Sequence, residues 1–318
     1  MGRRDDSNLT MGESKSIAVI IPAYNAEHYL AAAIDSVVAQ TLPAAQIIVV
    51  DDGSTDTTAR IAGNYSDAVW LIRQPNAGVS VARNRGAAEA KADWLLFLDA
   101  DDLLRSDALE RFAKRAMEGA FGVIYGQSEY FTEGANARRL HGKSVAEGRV
   151  PAAAMANFWK SALSTPGAAM VRADLFASVG GFRSEFNTAA DRDFWLRTGA
   201  LTEFGYVDGV VIEKREHDTN MSGDRSRARQ QGAQVQFSFL QWCDERGLSP
   251  PPITVNEIVD RNLERSLMER SLDAAVWLCD EADRRKVSSD IVRRARRLLG
   301  MPAFARELEL RVRAFISR

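Results

Sequence analysis

Three carboxylates, Asp99, Asp101 and Asp102, fall within four positions directly after the apolar run Trp94-Leu-Leu-Phe-Leu98. Acidic side chains packed that closely repel one another unless a cation or several donors compensate. A hard divalent ion with oxygen ligands, gripping a phosphate-bearing substrate, is one solution. Capping of a helix that begins near Ser106 is the other. Two further polar groups also follow apolar runs: Tyr24 and Asn25 after Ile17-Ala-Val-Ile-Ile-Pro22, and Asp51 and Asp52 after Gln46-Ile-Ile-Val-Val50.

Uninterrupted apolar runs of this length describe strands covered on both faces, as in a parallel sheet. Between them Leu30, Ala33, Ile34, Val37 and Val38 recur at helical spacing, and Val79, Ala82, Ala87 and Ala90 do the same. Strand alternating with helix predicts an α/β fold with a mostly parallel central sheet flanked by helices. Ligands of such sheets collect beyond the carboxyl ends of the strands, where the three polar groups fall. Neither a Gly-x-Gly-x-x-Gly nor a Gly-x-x-x-x-Gly-Lys sequence is present, which argues against a dinucleotide fingerprint and a P-loop.

Further strands are expected at 122–131, 168–171 and 204–212, with a polar loop over 132–150 and a helix over 151–159. Gly180-Gly181-Phe182-Arg183 reads as a turn and 191–198 as a helix. Beyond about residue 223 only helices are expected, near 234–243, 256–268, 272–282, 291–299 and 304–316. The domain reading is a disordered lead-in over 1–16, a catalytic unit over 17–222 and a helical extension over 223–318.

At 46% apolar and 26% charged residues, the chain has the composition of a soluble globular protein. Two cysteines supply no disulfide framework and match no zinc spacing, so a reducing cytoplasm is the expected compartment. No apolar run is long enough to span a bilayer. Net charge is −2, yet residues 283–318 carry eleven Arg or Lys against four acids. That basic stretch is amphipathic, and three readings stay open: a peripheral surface for anionic lipid, a dimer interface, or a helical subdomain with a solvated face. Nucleic acid is not expected, because no aromatic platform accompanies the arginines.

Residues 17 to about 222 resemble the family-2 glycosyltransferases of the GT-A fold. The resemblance rests on Ile-Pro-Ala-Tyr-Asn (21–25), Val-Asp-Asp-Gly-Ser-Thr-Asp (50–56), Asn-Ala-Gly-Val-Ser-Val-Ala-Arg-Asn-Arg-Gly (76–86), Phe-Leu-Asp-Ala-Asp-Asp (97–102) and Gly-Gly-Phe-Arg (180–183), in that order. It implies inverting transfer of a sugar from a nucleotide diphosphate donor, a UDP-sugar, to a hydroxyl of a glycan or lipid-linked acceptor in bacterial cell-surface polysaccharide or glycoconjugate synthesis. It also implies Mn2+ or Mg2+.

On that resemblance Pro22, Ala23, Tyr24 and Asn25 border the nucleotide, with Tyr24 against the base, although a half-buried strand-end tyrosine needs no ligand. Asp52 would accept the ring N–H of the base. Arg83 would face the diphosphate, a solvated helix arginine being its alternative. Asp99, Ala100 and Asp101 form an Asp-x-Asp pair, expected to be extended with both carboxylates on one side. Asp99 and Asp101 would hold the ion, and His217 would add a ligand unless it is a lone surface histidine. Inversion needs one base to take the acceptor proton. The family places Glu-Asp after its Gly-Phe turn; here Ala190 replaces the glutamate and Asp191 remains as the base. Asp191 also suits a helix N-cap, and Asp193 is a weaker candidate. The missing glutamate leaves open a catalytically silent relative that binds nucleotide sugars or assembles a complex.

Overall fold

The structure is a computed structural model, and it describes residues 15–133, 138–141, 163, 165–186, 188–217, 225–250 and 252–300. The expected helices over 151–159 and 304–316 lie outside the described residues, as do most of the lead-in and the loop at 218–222.

Among the described residues nine strands form one sheet: β1 (Ile17–Ala23), β2 (Gln46–Asp51), β3 (Trp70–Arg73), β4 (Trp94–Phe97), β5 (Leu103–Leu104), β6 (Phe121–Phe131), β7 (Arg138–His141), β8 (Ala169–Arg172) and β9 (Glu203–Arg215). Their spatial order is β3-β2-β1-β4-β8-β6-β9-β5, with β7 pairing β6 at the side. From β3 to β4 every ladder is parallel. Beyond β4 the sheet becomes mixed: β8 runs antiparallel to both β4 and β6, β9 runs parallel to β6, and β5 runs antiparallel to β9.

The parallel half follows directly from sequence. β1, β2 and β4 are almost wholly buried, as continuous apolar runs require. Helices α1 (Leu30–Val38), α2 (Thr58–Gly63) and α3 (Val79–Glu89) connect or flank these strands. α3 lies on β1 so closely that a Cβ at Gly86 would come within 2.5 Å of the Ile20 side chain. Only glycine permits that approach, which accounts for the glycine closing the 76–86 segment.

α4 (Ala108–Met117), α5 (Ala173–Val179) and α6 (Ala190–Gly199) follow, and then four helices: α7 (Arg225–Glu245), α8 (Val255–Met268), α9 (Leu272–Arg284) and α10 (Asp290–Leu299). One apolar cluster runs without a break from the sheet residues Leu95, Phe97 and Val171 through Phe194 and Trp195 to Phe239, Leu263, Leu278 and Leu298. The C-terminal helices therefore share the core of the sheet.

Two expectations change. The polar loop expected over 132–150 contains β7, whose Arg138, Arg139 and Leu140 are all exposed. An exposed edge strand carries no hydrophobic alternation; it is held by pairing with β6 and by contacts such as Arg138 with Glu129. The last long strand also continues past 212 to Arg215, because Glu213, Lys214 and Arg215 pair with Glu129, Tyr130 and Phe131.

Candidate active site

The parallel registers put the carboxyl ends of β1, β2 and β4 at one edge of the sheet. At the first two, a tight loop network forms. Asn25, with φ 46°, receives the Thr55 backbone N–H at 2.9 Å through Oδ1 and donates its own N–H to Ser54 Oγ at 3.0 Å. Ala23 lies in β1 beside Pro22, and its carbonyl accepts the Asp52 N–H at 2.8 Å. Tyr24 stands 52% exposed at this rim, free for a flat ligand. Asp51 is consumed by Arg73 Nε and the Ser54 N–H, both at 3.0 Å.

Asp52 is buried, and its carboxylate accepts from Gln74 Nε2 (2.7 Å) and from the backbone N–H groups of Ala77 (2.9 Å) and Gly78 (2.8 Å). These donors anchor the start of α3. A carboxylate has about four acceptor positions, so one remains for a ligand N–H.

Past β4 the chain is a turn and not the extended segment expected, since the Asp102 N–H donates to the Asp99 carbonyl at 3.1 Å. The turn still gathers carboxylate oxygens of Asp99, Asp101 and Asp102 to within 4.8 Å of one another, around the small, buried Ala100. These acids do not cap the next helix, because α4 starts at Ala108 with no side-chain cap. Asp102, 1% exposed, accepts the Arg215 N–H at 3.0 Å and Thr165 Oγ1 at 3.2 Å. Burial pushes its pKa well above the ordinary aspartate value, and the charges of Asp99 and Asp101 add to that against the pull of Lys214. His217 Nε2 lies 3.0 Å from Asp101 Oδ2, and its ring stacks on Tyr29 at 4.9 Å between centroids. Clustered carboxylate oxygens suit a hard divalent cation of the Mg2+ or Mn2+ kind. The residues present therefore fit such an ion, with Asp99, Asp101 and Asp102 as oxygen donors and His217 alongside.

Arg83 ties this cluster to the other half of the site. Projecting from α3 and 4% exposed, it donates to Asp99 Oδ1 at 2.6 Å and to Asp191 Oδ1 at 2.8 Å, with its guanidinium 5.1 Å from the Phe182 ring centroid. Burial works against its charge, but Asp191 and Asp99 outweigh burial and hold it protonated. Burial likewise pushes Asp99 upward, and there Arg83 and Lys214 win, leaving it below the ordinary value. Asp191 keeps a raised pKa, from burial first and then the charge of Asp99, although Arg83 opposes both.

Asp191 lies in the first turn of α6, where Ala189 is the N-cap, so it is not the cap. Its side chain is 36% exposed. Asp193 points away into the core, paired with Arg197 at 2.6 Å. Arg83, Asp99, Asp101, Asp191 and His217 are thus brought together, while Tyr24, Asn25 and Asp52 form the neighbouring rim. The acidic cluster read from the sequence already includes Asp102 beside Asp99 and Asp101, although the resemblance implies only Asp99 and Asp101 as carboxylate ligands; sequence reasoning missed Thr165, Tyr29, Arg215 and Lys214. The signal for the last two was their place two and three residues before His217.

Comparison with known proteins identifies the family and the fold. The model of the family described as Glycosyl transferase family 2 matches residues 18–180. Glycosyltransferase GlyA of Streptococcus pneumoniae is 37% identical over 120 residues, 37% of this chain and 17% of its own length. Uncharacterized glycosyltransferase YibD of Escherichia coli is 40% identical over 116 residues, 36% of this chain and 34% of its own. An uncharacterized glycosyltransferase of Rickettsia felis aligns over 72% of this chain at 26% identity, and over 39% of its own length. The matches thus span well under two thirds of those relatives. Among solved structures, S. aureus TarS 1-349 in complex with UDP-GlcNAc superposes with a TM-score of 0.59 at 18% identity, over 85% of this chain and 92% of that one. That likeness concerns the GT-A fold. With the family model covering more than half of the 318 residues, the chain belongs to glycosyl transferase family 2.

Proposed function

We propose that the protein is a metal-dependent inverting glycosyltransferase that moves a hexosyl group from a UDP-sugar to a hydroxyl of a glycan or lipid-linked acceptor in cell-surface polysaccharide or glycoconjugate synthesis. The observation that carries this reading is the link Asp99–Arg83–Asp191, which places a carboxylate of raised pKa beside an acidic cluster at the strand ends. A nucleotide-sugar complex of a structure with the same fold supports the donor class.

Tyr24 and the remaining acceptor position on Asp52 receive the base, with Pro22, Ala23 and Asn25 shaping the rim. Asp99, Ala100, Asp101 and His217 lie at the diphosphate, where Mn2+ or Mg2+, when bound, supplies a Lewis acid for the leaving group. Asp191 accepts the proton of the acceptor hydroxyl as its oxygen attacks the anomeric carbon. Arg83 holds that carboxylate in place and shares its charge with Asp99. In this reading residues 17–222 are the catalytic unit. The basic C-terminal helix is its contact with an anionic membrane surface on the cytoplasmic side.

Asp191→Asn tests the base. Turnover is expected to fall by about a thousandfold or more, while UDP-sugar binding, read by calorimetry, stays within about threefold. Equal loss of both removes Asp191 from that role. Undiminished turnover removes it as well, and absence of donor hydrolysis or transfer by the native protein points to a silent binding relative.

A further inference from the structure

Lys214 takes no part in the scheme so far, yet its place in β9 is specific. The adjoining Arg215 N–H donates to Asp102 Oδ1 at 3.0 Å. Glu213 is the antiparallel partner of Leu103, so Lys214, one position further, lies opposite Asp102. Successive side chains of a strand point to opposite faces. Glu213 turns to Arg105 and Arg138, and Arg215 turns to Glu133, Tyr29 and Phe131. Lys214 accordingly projects from the other face, where the charges of Asp102, Asp99 and Asp191 act on it.

Burial works against the Lys214 ammonium, but those carboxylates outweigh it and hold its pKa above the ordinary lysine value. The side chain is half-buried and makes no ion pair with a carboxylate of the described residues. Arg83, by contrast, is committed to Asp99 and Asp191, and Arg215 to Glu133 and the Asp101 carbonyl. A compact ammonium kept charged among carboxylates, with none in contact, is poised for an anion that enters the site.

We infer that Lys214 is a catalytic residue that meets the donor diphosphate and offsets the charge growing on the departing nucleoside diphosphate. This deepens the donor reading above and rests on it. In the transfer the acceptor oxygen bonds to the anomeric carbon, and its proton passes to Asp191. The bond from that carbon to the β-phosphate oxygen breaks, leaving its electron pair on the oxygen. Lys214 donates a hydrogen bond to that diphosphate and keeps its proton, so its contribution is electrostatic.

The test is calorimetry of UDP, UMP and Mn2+ on the full chain, on Lys214→Met, which keeps the aliphatic stem, on Lys214→Gln and on Lys214→Arg. With Mn2+ saturating, Lys214→Met is expected to bind UDP about tenfold more weakly or worse, and UMP within about threefold of native, with Lys214→Arg close to native. Mn2+ alone should bind Lys214→Met as tightly as native or tighter, because a neighbouring cation has gone. This opposite movement of UDP and Mn2+ separates a ligand contact from a residue that merely shapes the site. Unchanged or stronger UDP binding overturns the inference. A parallel loss of UDP, UMP and Mn2+ binding, in Lys214→Met and in Lys214→Gln alike, overturns it too. A native protein that binds Mn2+ but no UDP overturns instead the donor reading beneath it.

Discussion

Asp191 and Asp99 share one guanidinium, yet their protonation is pulled in opposite directions. Arg83 and Lys214 prevail at Asp99, whereas burial and the charge of Asp99 prevail at Asp191. Carboxylates whose environments diverge in this way can divide the chemistry, one staying anionic beside a cation and the other taking up a proton more readily. The proposed base acts only when deprotonated, so on that reading activity is expected to fall as pH falls through the raised Asp191 pKa. The acid limb of kcat/KM against pH is therefore expected above the ordinary aspartate value of 3.8. Arg83→Gln should move that limb to still higher pH, since the opposing cation is lost. A limb that stays in place in Arg83→Gln would detach Arg83 from the base. The stability linkage has the other sign: a carboxyl with a raised folded pKa favours the native state at low pH, and that contribution fades as pH rises through the folded value.

Among the elements, α6 decides where Asp191 stands. Its second turn carries Arg197, fully buried, which donates to Asp193 Oδ2 and to the carbonyls of Val179 and Gly181. Gly180 and Gly181 have φ of 79° and 65°, a left-handed conformation that side chains resist, so the turn they form needs both glycines. From the opposite side, Asn84 on α3 clasps Phe182 twice, donating Nδ2 to its carbonyl at 2.8 Å and accepting its N–H at 2.9 Å. Neighbouring residues of α3, Arg83 and Asn84, thus hold Asp191 and the turn before it. Removing one member of a buried ion pair leaves an uncompensated charge. Arg197→Met should therefore destabilise the fold by about 3–5 kcal/mol in chemical denaturation. Adding Asp193→Asn should recover part of that loss. A change below about 1 kcal/mol in the single variant would show that the pair carries little of the stability. The motifs around α3 and α6 were legible because their residue types are so constrained: glycine at the close approach to Ile20, glycines at positive φ, and acids at strand ends. β5 and the last residues of β9 were not, since their pairing is long-range and their side chains are partly polar.

Across the whole molecule, the continuous apolar cluster makes α7 to α10 part of the same core as the sheet. α10 packs Val292, Ala295 and Leu298 inward and leaves Arg293, Arg296 and Arg297 exposed. Arg293 and Arg296 pair with Asp290 and Asp283, both themselves exposed, and exposed pairs of that kind yield readily to other anions. No helix among the described residues is long and apolar enough to cross a membrane. Contact with lipid headgroups through this face would be electrostatic, worth about 1 kcal/mol per basic side chain near the surface and screened by salt. Sedimentation with phosphatidylserine vesicles should show binding at low ionic strength that is lost at about 0.5 M salt, where the screening length has shrunk to a few ångströms. Replacing Arg293, Arg296 and Arg297 by Ser should also abolish it. Equal sedimentation of native and variant proteins would leave this face a solvated surface of the helical region.

Sequence alone determined the strand–helix alternation and the polar groups at the ends of β1, β2 and β4, through local periodicity, while the resemblance of ordered motifs singled out Asp99, Asp101 and Asp191 as candidates. Tertiary structure decided the rest: that the three acids share a turn in which Asp102 is buried, that Arg83 spans from Asp99 to Asp191, and that Lys214 stands opposite Asp102. Those relations join residues up to 113 positions apart through strand register and burial, and a linear pattern of residue types does not encode such distances.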